Sequence, residues 1–69
     1  MSADAVITNG KPVPMAAPTT LEAFLAALGF HPRSVVVEHN GEAVAASEFS
    51  RRTVNPGDRI EIVRVVAGG

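Results

Sequence analysis

The sequence has no cysteine, tryptophan or tyrosine, and its only aromatic residues are three phenylalanines among 69 positions. Without cysteine, the chain cannot form disulfides, use a thiolate nucleophile or supply thiolate ligands to zinc and iron–sulfur sites. It also lacks an excess of positive charge, since six Lys and Arg residues stand against seven Asp and Glu residues and the pI is about 6.0. This balance argues against a nucleic-acid partner, because nucleic-acid-binding domains usually have a pI above about 9.

Long apolar segments are missing as well. No uninterrupted apolar run approaches the roughly 20 residues that a membrane-spanning helix needs, and the N-terminus has neither the basic nor the apolar region of a signal peptide. We therefore expect a cytoplasmic protein without a membrane partner. At 69 residues, the chain has room for one domain spanning positions 1–69.

The first third of the chain predicts a β-hairpin. Residues 5–8 are strand-like and lead into Asn9-Gly10, a dipeptide suited to a two-residue turn in which both residues have positive φ. Residues 11–16 should return as a second strand. Pro12 and Pro14 lack N–H donors at alternate positions, which favours an edge strand.

A helix is predicted over about residues 20–28. Thr19 and Glu22 have the spacing of a capping box, with Thr19 as the N-cap. The sequence Gly29-Phe30 should end the helix, with Gly29 in a left-handed conformation and Phe30 packed back on the last turn. One apolar face is expected to contact the sheet, formed by Leu21, Phe24, Leu25 and Leu28.

The second half predicts three more strands. Residues 35–39 and 42–46 flank a second hairpin turn at Asn40-Gly41, and residues 59–66 form the longest strand. Residues 47–54 are expected to be a loop with at most one short helical turn, in which Phe49 fills the core. The order ββαβββ predicts an α+β domain, in which a sheet of four to five strands packs on one main helix.

The sequence ends in Gly68-Gly69, directly after the last strand. A tail without Cβ atoms can enter a channel too narrow for side chains and present its α-carboxylate to a partner's active site. The alternative is a frayed terminus without function. We expect both glycines to be mobile in the free protein.

In combination, several segments of the sequence resemble the ThiS-type sulfur carriers of the thiamine pathway, which belong to the ubiquitin-like β-grasp fold and the MoaD/ThiS superfamily. The similarity covers nearly the whole chain after its first four residues. The segments that carry it are Asn9-Gly10-Lys11, Thr20-Leu21, the stretch from Val35 to Glu42 with Val44 after it, the stretch from Gly57 to Val63, and Ala67-Gly68-Gly69.

The resemblance implies a mixed sheet whose first and last strands are parallel at its centre. It also implies that an E1-like adenylating enzyme (ThiF-type) activates the carboxylate of Gly69 with ATP. Sulfur from a donor such as a cysteine desulfurase then forms a thiocarboxylate, which a thiazole synthase (ThiG-type) uses. By the same resemblance, Gly68 leaves the tail without a side chain next to the reacting residue. The chain itself contains no phosphate-binding loop, so we expect a carrier without cofactor or metal rather than an enzyme.

Two other functions stay open at this point. The chain could carry sulfur for molybdopterin synthesis or another thiolation pathway, or it could be a non-catalytic β-grasp interaction module. In any of these cases, exposed apolar residues near the tail would suit partner docking, and the candidates are Val63, Val65 and Val66.

The remaining polar candidates have mainly structural interpretations. His31 and His39 have no neighbouring cluster with metal-ligand spacing, so both are expected to be solvated structural residues. Arg51 and Arg52 are either a solvated pair or part of a docking surface. Asp58 and Glu61 are expected to be surface charges.

Overall fold

A computed structural model describes residues 4–65 of the chain. Its elements are β1 (Ala5–Thr8), β2 (Lys11–Pro14), β3 (Thr19–Thr20), helix α1 (Leu21–Ala27), β4 (Val35–His39), β5 (Glu42–Val44), β6 (Thr53–Val54) and β7 (Arg59–Arg64). Two short 3₁₀ helices lie at Pro32–Ser34 and Ala46–Glu48. The main sheet has the strand order β2-β1-β7-β4-β5. Strands β1 and β7 are parallel at its centre, and the other neighbours are antiparallel.

Both Asn-Gly hairpins are confirmed. Asn9 and Gly10 have φ values of 50° and 81°, and Asn40 and Gly41 have values of 51° and 84°, as the predicted two-residue turns require. Strand β2 lies at the sheet edge as its prolines predicted, although it ends at Pro14 instead of residue 16. Strand β5 is likewise shorter than predicted, and Val65 already lies beyond β7.

The start of the helix differs from the prediction. Thr20 is the N-cap, and its hydroxyl oxygen accepts a hydrogen bond from the Ala23 N–H at 3.1 Å. Thr19 lies one residue further from the helix, which starts at Leu21, and pairs with Val54 of β6. The predicted capping box of Thr19 and Glu22 is therefore wrong.

The end of the helix follows the predicted motif, but Leu28 is the C-cap and is 37% exposed, so its predicted place on the buried face is wrong. Gly29 has a φ of 86° and donates its N–H to the Ala26 carbonyl, while the Phe30 N–H donates to the Leu25 carbonyl. These two hydrogen bonds form a Schellman motif, which satisfies carbonyls of the last turn. Phe30 packs against the core, also as expected.

A two-stranded sheet of β3 and β6 was not predicted. Strand β6 lies within the segment 47–54, which was expected to be a loop, and the anticipated short helical turn precedes it at Ala46–Glu48. The small sheet brings this segment to the start of the helix, where the Leu21 N–H donates to the Arg52 carbonyl and the Glu22 N–H donates to the Phe49 carbonyl. These bonds satisfy amides that a helix start otherwise leaves unpaired.

The core lies between one face of the main sheet and the helix. The helix contributes Leu21, Phe24 and Leu25, and Phe49 fills the end of the core with 2% of its surface exposed, as predicted. The sheet and the β6 segment contribute the other buried apolar residues, which are Val6, Val35, Val37, Val44, Val54, Ile60 and Ile62. Within residues 4–65, no helix is long and apolar enough to cross a membrane.

Candidate functional site

The candidate site lies where strand β7 ends, because this strand leads towards the C-terminus. Residues of β7 lie between β1 on one side and β4 on the other. Val65, the last residue that the structure describes, donates its N–H to the Ser34 carbonyl at 2.7 Å. This hydrogen bond holds the backbone directly after β7 beside the 3₁₀ helix that precedes β4.

The side chain of Asn9 extends the pairing of β7 beyond the end of β1. The parallel register ends at Thr8 opposite Ile60. The Asn9 amide then donates to the Ile62 carbonyl at 3.0 Å and accepts from the Ile62 N–H at 2.7 Å, as a strand residue's own peptide groups would. The dipeptide Asn9-Gly10 indicated only a turn, and nothing in its local pattern points to this second role.

Exposed valines surround the end of β7 on the sheet face that the helix does not cover. Val63 is 62% exposed and Val65 is 48% exposed, which confirms the prediction that part of this strand would remain accessible. Val36, 53% exposed, lies directly opposite Val63 on β4 and was missed. Its exposure could have been predicted from the alternation of side chains along a strand, because Val36 lies between Val35 and Val37, which face the core. We call Val36, Val63 and Val65 the valine face.

A groove adjoins the valine face at the base of the tail. It has a volume of about 330 Å³ and is lined by Gly29, Phe30, His31, Ser34, Arg64 and Val65. The Arg64 guanidinium carbon lies 5.3 Å from the centre of the Phe30 ring, a cation–π distance. His31 is exposed, and its Nδ1 accepts a hydrogen bond from the Arg33 N–H, which agrees with a solvated structural role.

His39, in contrast, is buried with only 6% of its surface exposed, so the predicted solvated role is wrong. Its ring lies on the inward side of β4, and both nitrogens have partners. Nε2 lies 2.7 Å from Asp58 Oδ2, and Arg52 Nε donates to Nδ1 at 2.9 Å. Because the carboxylate accepts and the guanidinium donates, this arrangement fits a neutral ring with its proton on Nε2.

The two acidic members of this network have lowered pKa values. Burial acts to raise the pKa of Asp58, but hydrogen bonds from the Asn55 N–H and His39 outweigh it and hold the pKa below its usual range. A hydrogen bond and the positive charge of Arg52 lower the pKa of Glu42. The network joins the β4–β5 hairpin, the segment before β6 and the turn before β7, so its role is structural.

Arg51 and Arg52 therefore separate into two environments. Arg52 is half-buried in the network, whereas Arg51 forms an exposed ion pair with Glu48 at 2.6 Å. Asp58 is not the simple surface charge that was predicted, while Glu61 is exposed on β7 as expected.

Three of the predicted site residues, Val66, Gly68 and Gly69, lie outside the described residues. In the part of the chain that the structure describes, no group of three His, Cys, Asp or Glu side chains could hold a metal ion. The described portion of the candidate site is thus an apolar face and a cationic groove at the end of the central strand.

Comparison with known proteins places this arrangement in context. The sequence model of the ThiS family matches residues 6–69. The chain is 41% identical over 64 residues to a thiazole synthase of Paramagnetospirillum magneticum and 39% identical over 61 residues to a thiazole synthase of Magnetococcus marinus. These matches cover 93% and 88% of the chain but only 20% and 19% of the two relatives, so the chain spans about a fifth of their length.

A solved structure agrees over nearly the whole chain. The crystal structure of a thiamine biosynthesis protein (ThiS) from Geobacter metallireducens superposes with a TM-score of 0.80 at 32% sequence identity. The superposition covers 94% of this chain and 99% of that one. A solution structure of a thiamine biosynthesis protein from the same organism gives a TM-score of 0.76 at 34% identity.

Proposed function

The chain belongs to the ThiS family of sulfur carriers, with the ubiquitin-like β-grasp fold, and we propose that it carries sulfur on the C-terminal carboxylate of Gly69 for thiazole formation in thiamine biosynthesis. The observation that carries the proposal is that the family match runs through residue 69 and so includes Gly68-Gly69. The central strand β7 ends five residues before that carboxylate. An extended tail of this length spans up to about 18 Å, enough to reach into a partner's active site.

The chemistry starts from an unreactive group. A carboxylate resists attack by a sulfur nucleophile until one of its oxygens becomes part of a leaving group. An adenylating enzyme of the ThiF type would join the Gly69 carboxylate to AMP from ATP and release pyrophosphate. A persulfide on a donor such as a cysteine desulfurase then attacks the acyl carbon through its terminal sulfur, and a C–S bond forms as the bond to AMP breaks. A thiol reduces the S–S bond of the resulting acyl disulfide and so releases the sulfur from the donor. The product is a thiocarboxylate.

In this scheme the chain is a substrate and carrier, not an enzyme. Activating a carboxylate requires phosphate-binding and electrostatic groups arranged around the reacting atoms. The polar network of His39, Asp58 and Arg52 is not such a site, because its members satisfy one another inside the fold. The partner enzymes would supply the activating groups.

A thiazole synthase of the ThiG type is the proposed receiver of the sulfur. Two relatives named thiazole synthase contain a segment similar to this chain within a polypeptide about five times as long. The presence of such a segment within these chains favours a functional association between the two parts. It supports the thiamine pathway over other sulfur acceptors.

The valine face is the proposed docking surface for these partners, together with Val66. Val63 and Val65 lie within six residues of Gly69, so a partner that receives the tail would also cover them. Burying apolar surface of this kind at an interface is favourable by about 25 cal/mol per Å² before the costs of association.

The proposal is tested by the intact mass of the chain. After incubation with ATP, the adenylating enzyme and a sulfur donor, we expect the mass to increase by the replacement of one oxygen by sulfur, and fragmentation should locate the change at Gly69. A reaction without ATP is the matched control and should leave the mass unchanged. A mass change elsewhere in the chain, or none with active enzymes, would refute the proposal.

A further inference from the structure

The groove at the base of the tail carries an inference that rests on the proposed function. We propose that this groove binds a carboxylate side chain of the partner enzyme that receives the tail, and that Arg64 is its ion-pair partner. The groove is lined by residues from the end of the helix, the following 3₁₀ segment and the end of β7. It therefore lies where the body of the carrier would meet the entrance of the partner's channel.

The first support is that the positive charge of Arg64 is exposed and is not neutralised by a carboxylate within residues 4–65. In β7, Arg64 continues the inward alternation of the buried residues Ile60 and Ile62 but is itself exposed. Within residues 4–65 no carboxylate forms an ion pair with it, whereas Arg51 and Arg52 each have one. Its charge is thus available to a second molecule.

The second support is preorganisation by Phe30. The guanidinium lies 5.3 Å from the centre of the ring, and Phe30 is itself packed against the core. A side chain held in this way loses less conformational entropy when it binds a ligand. A guanidinium resting on an aromatic ring can still direct a pair of N–H groups at a carboxylate.

The third support is the charge of the surroundings. None of the six lining residues is acidic, although the chain as a whole has a net charge of −1. His31 lines the groove, and Arg33 follows it in the neighbouring 3₁₀ helix. An anionic group would therefore meet cationic or neutral surfaces, and an additional cation would be repelled.

Two anions could pair with Arg64, a carboxylate of the partner enzyme and the phosphate of the adenylate, and the distance from Arg64 to the reacting carboxylate of Gly69 decides between them. Arg64 and Gly69 are five residues apart. A channel that excludes side chains would hold these residues nearly extended, which separates the two positions by up to about 18 Å. The phosphate would then lie far beyond the reach of Arg64, while the rim of the channel would lie beside it.

The test is the dissociation constant for the purified thiazole synthase and for the adenylating enzyme, measured separately with full-length variants. We expect Arg64→Gln to weaken binding to at least one enzyme about tenfold, in line with the loss of a charge-assisted hydrogen-bonded pair, and Arg64→Glu to weaken it further. Arg64→Lys should fall between the wild type and Arg64→Gln. Arg59→Glu is the matched control, since it makes the same charge change at an exposed position on the same strand.

Further measurements test whether the group bound in the groove is a carboxylate of the partner enzyme. Raising the salt concentration should weaken binding of the wild type more than binding of Arg64→Gln, because salt screens the ion pair. In the partner, changing the responsible acidic residue to Lys should restore binding of Arg64→Glu. Equal losses for Arg64→Glu and Arg59→Glu would overturn the inference, as would a wild type that binds neither enzyme.

A free anion is the alternative occupant, and inorganic phosphate is its probe. If phosphate shifts the side-chain NMR signal of Arg64 while Arg64→Glu leaves both affinities unchanged, the groove is an anion site and the inference is wrong. Failure of the proposed function is distinguishable, because it appears as the absence of a thiocarboxylate in the wild type. Normal thiocarboxylate formation with unchanged affinities would overturn only the inference about Arg64.

Discussion

Removing the Asp58 carboxylate should destabilise the fold by an amount that depends on what replaces it. One oxygen, Oδ2, accepts hydrogen bonds from His39 Nε2 at 2.7 Å and from the Asn55 N–H at 2.8 Å. In Asp58→Ala the buried His39 donor loses its partner, which costs about 1–3 kcal/mol. Asn55 is exposed and can bond to water instead. We expect a total loss of about 1–3 kcal/mol, nearly all of it from His39.

Asp58→Asn provides the matched control. Because both bonds go to the same oxygen, the amide oxygen of Asn can take its place and accept both. Charge assistance is lost from these two bonds and from the Asn40 side-chain hydrogen bond that also lowers the pKa of Asp58, which leaves an expected cost of about 1 kcal/mol. For a domain of this size, 1 kcal/mol corresponds to roughly 4–8 °C in melting temperature.

The assay is thermal or urea unfolding of the three proteins between pH 2.5 and 7. In the unfolded chain Asp58 binds a proton near its ordinary pKa of about 3.9, whereas the lowered pKa of the folded state keeps it ionised to lower pH. Its contribution is therefore complete above the ordinary pKa and is lost as the pH falls through the folded-state pKa. The reasoning is refuted if Asp58→Ala melts like the wild type, or if Asp58→Asn is as unstable as Asp58→Ala.

Three further predictions concern the helix cap, a hairpin and the valine face. Thr20→Ala should lower the free energy of unfolding by about 1 kcal/mol, while Thr19→Ala leaves the cap intact. Equal losses for the two variants in urea unfolding would contradict the assignment of Thr20 as the cap. Gly41→Val should lower the free energy of unfolding by more than about 1 kcal/mol, because a β-branched residue is strained at a φ of 84°. Ala43→Val in the adjoining strand is the control, and an unchanged melting temperature of Gly41→Val would contradict the predicted strain. Val65→Asp should weaken binding to the partner enzymes without altering the melting temperature, and normal affinity would argue against docking through the valine face.

The parts of the fold that depend on local backbone chemistry could be predicted from the sequence. Asn9-Gly10 and Asn40-Gly41 favour one turn geometry whatever surrounds them, and Gly29 ends the helix for the same kind of reason. The N-cap was assigned wrongly because Thr19 and Thr20 both have suitable side chains. The start of the helix at Leu21 decides between them, and it is fixed by hydrogen bonds from the Leu21 and Glu22 N–H groups to the distant segment around Arg52.

The environment of His39 was only partly predictable. Alternation along β4 places it on the same face as the buried residues Val35 and Val37, so its burial could have been read from the strand pattern. Its partners could not, because Arg52 and Asp58 come from segments without a regular period and reach His39 only through the tertiary fold. The same applies to Arg64 and Phe30, whose contact depends on where the helix ends relative to β7.

The carrier mechanism is tested most directly by adding one alanine after Gly69 and measuring thiocarboxylate formation by intact mass. The extension moves the carboxylate by up to about 3.6 Å and places a Cβ in the channel, and misplacement by about 1 Å can already cost a hundredfold in rate. The folded domain is unchanged, so melting and partner binding serve as controls. We expect the wild type to gain sulfur in place of oxygen and the extended chain to gain none. Thiocarboxylate formation at the normal rate in the extended chain would contradict the proposed role of Gly69.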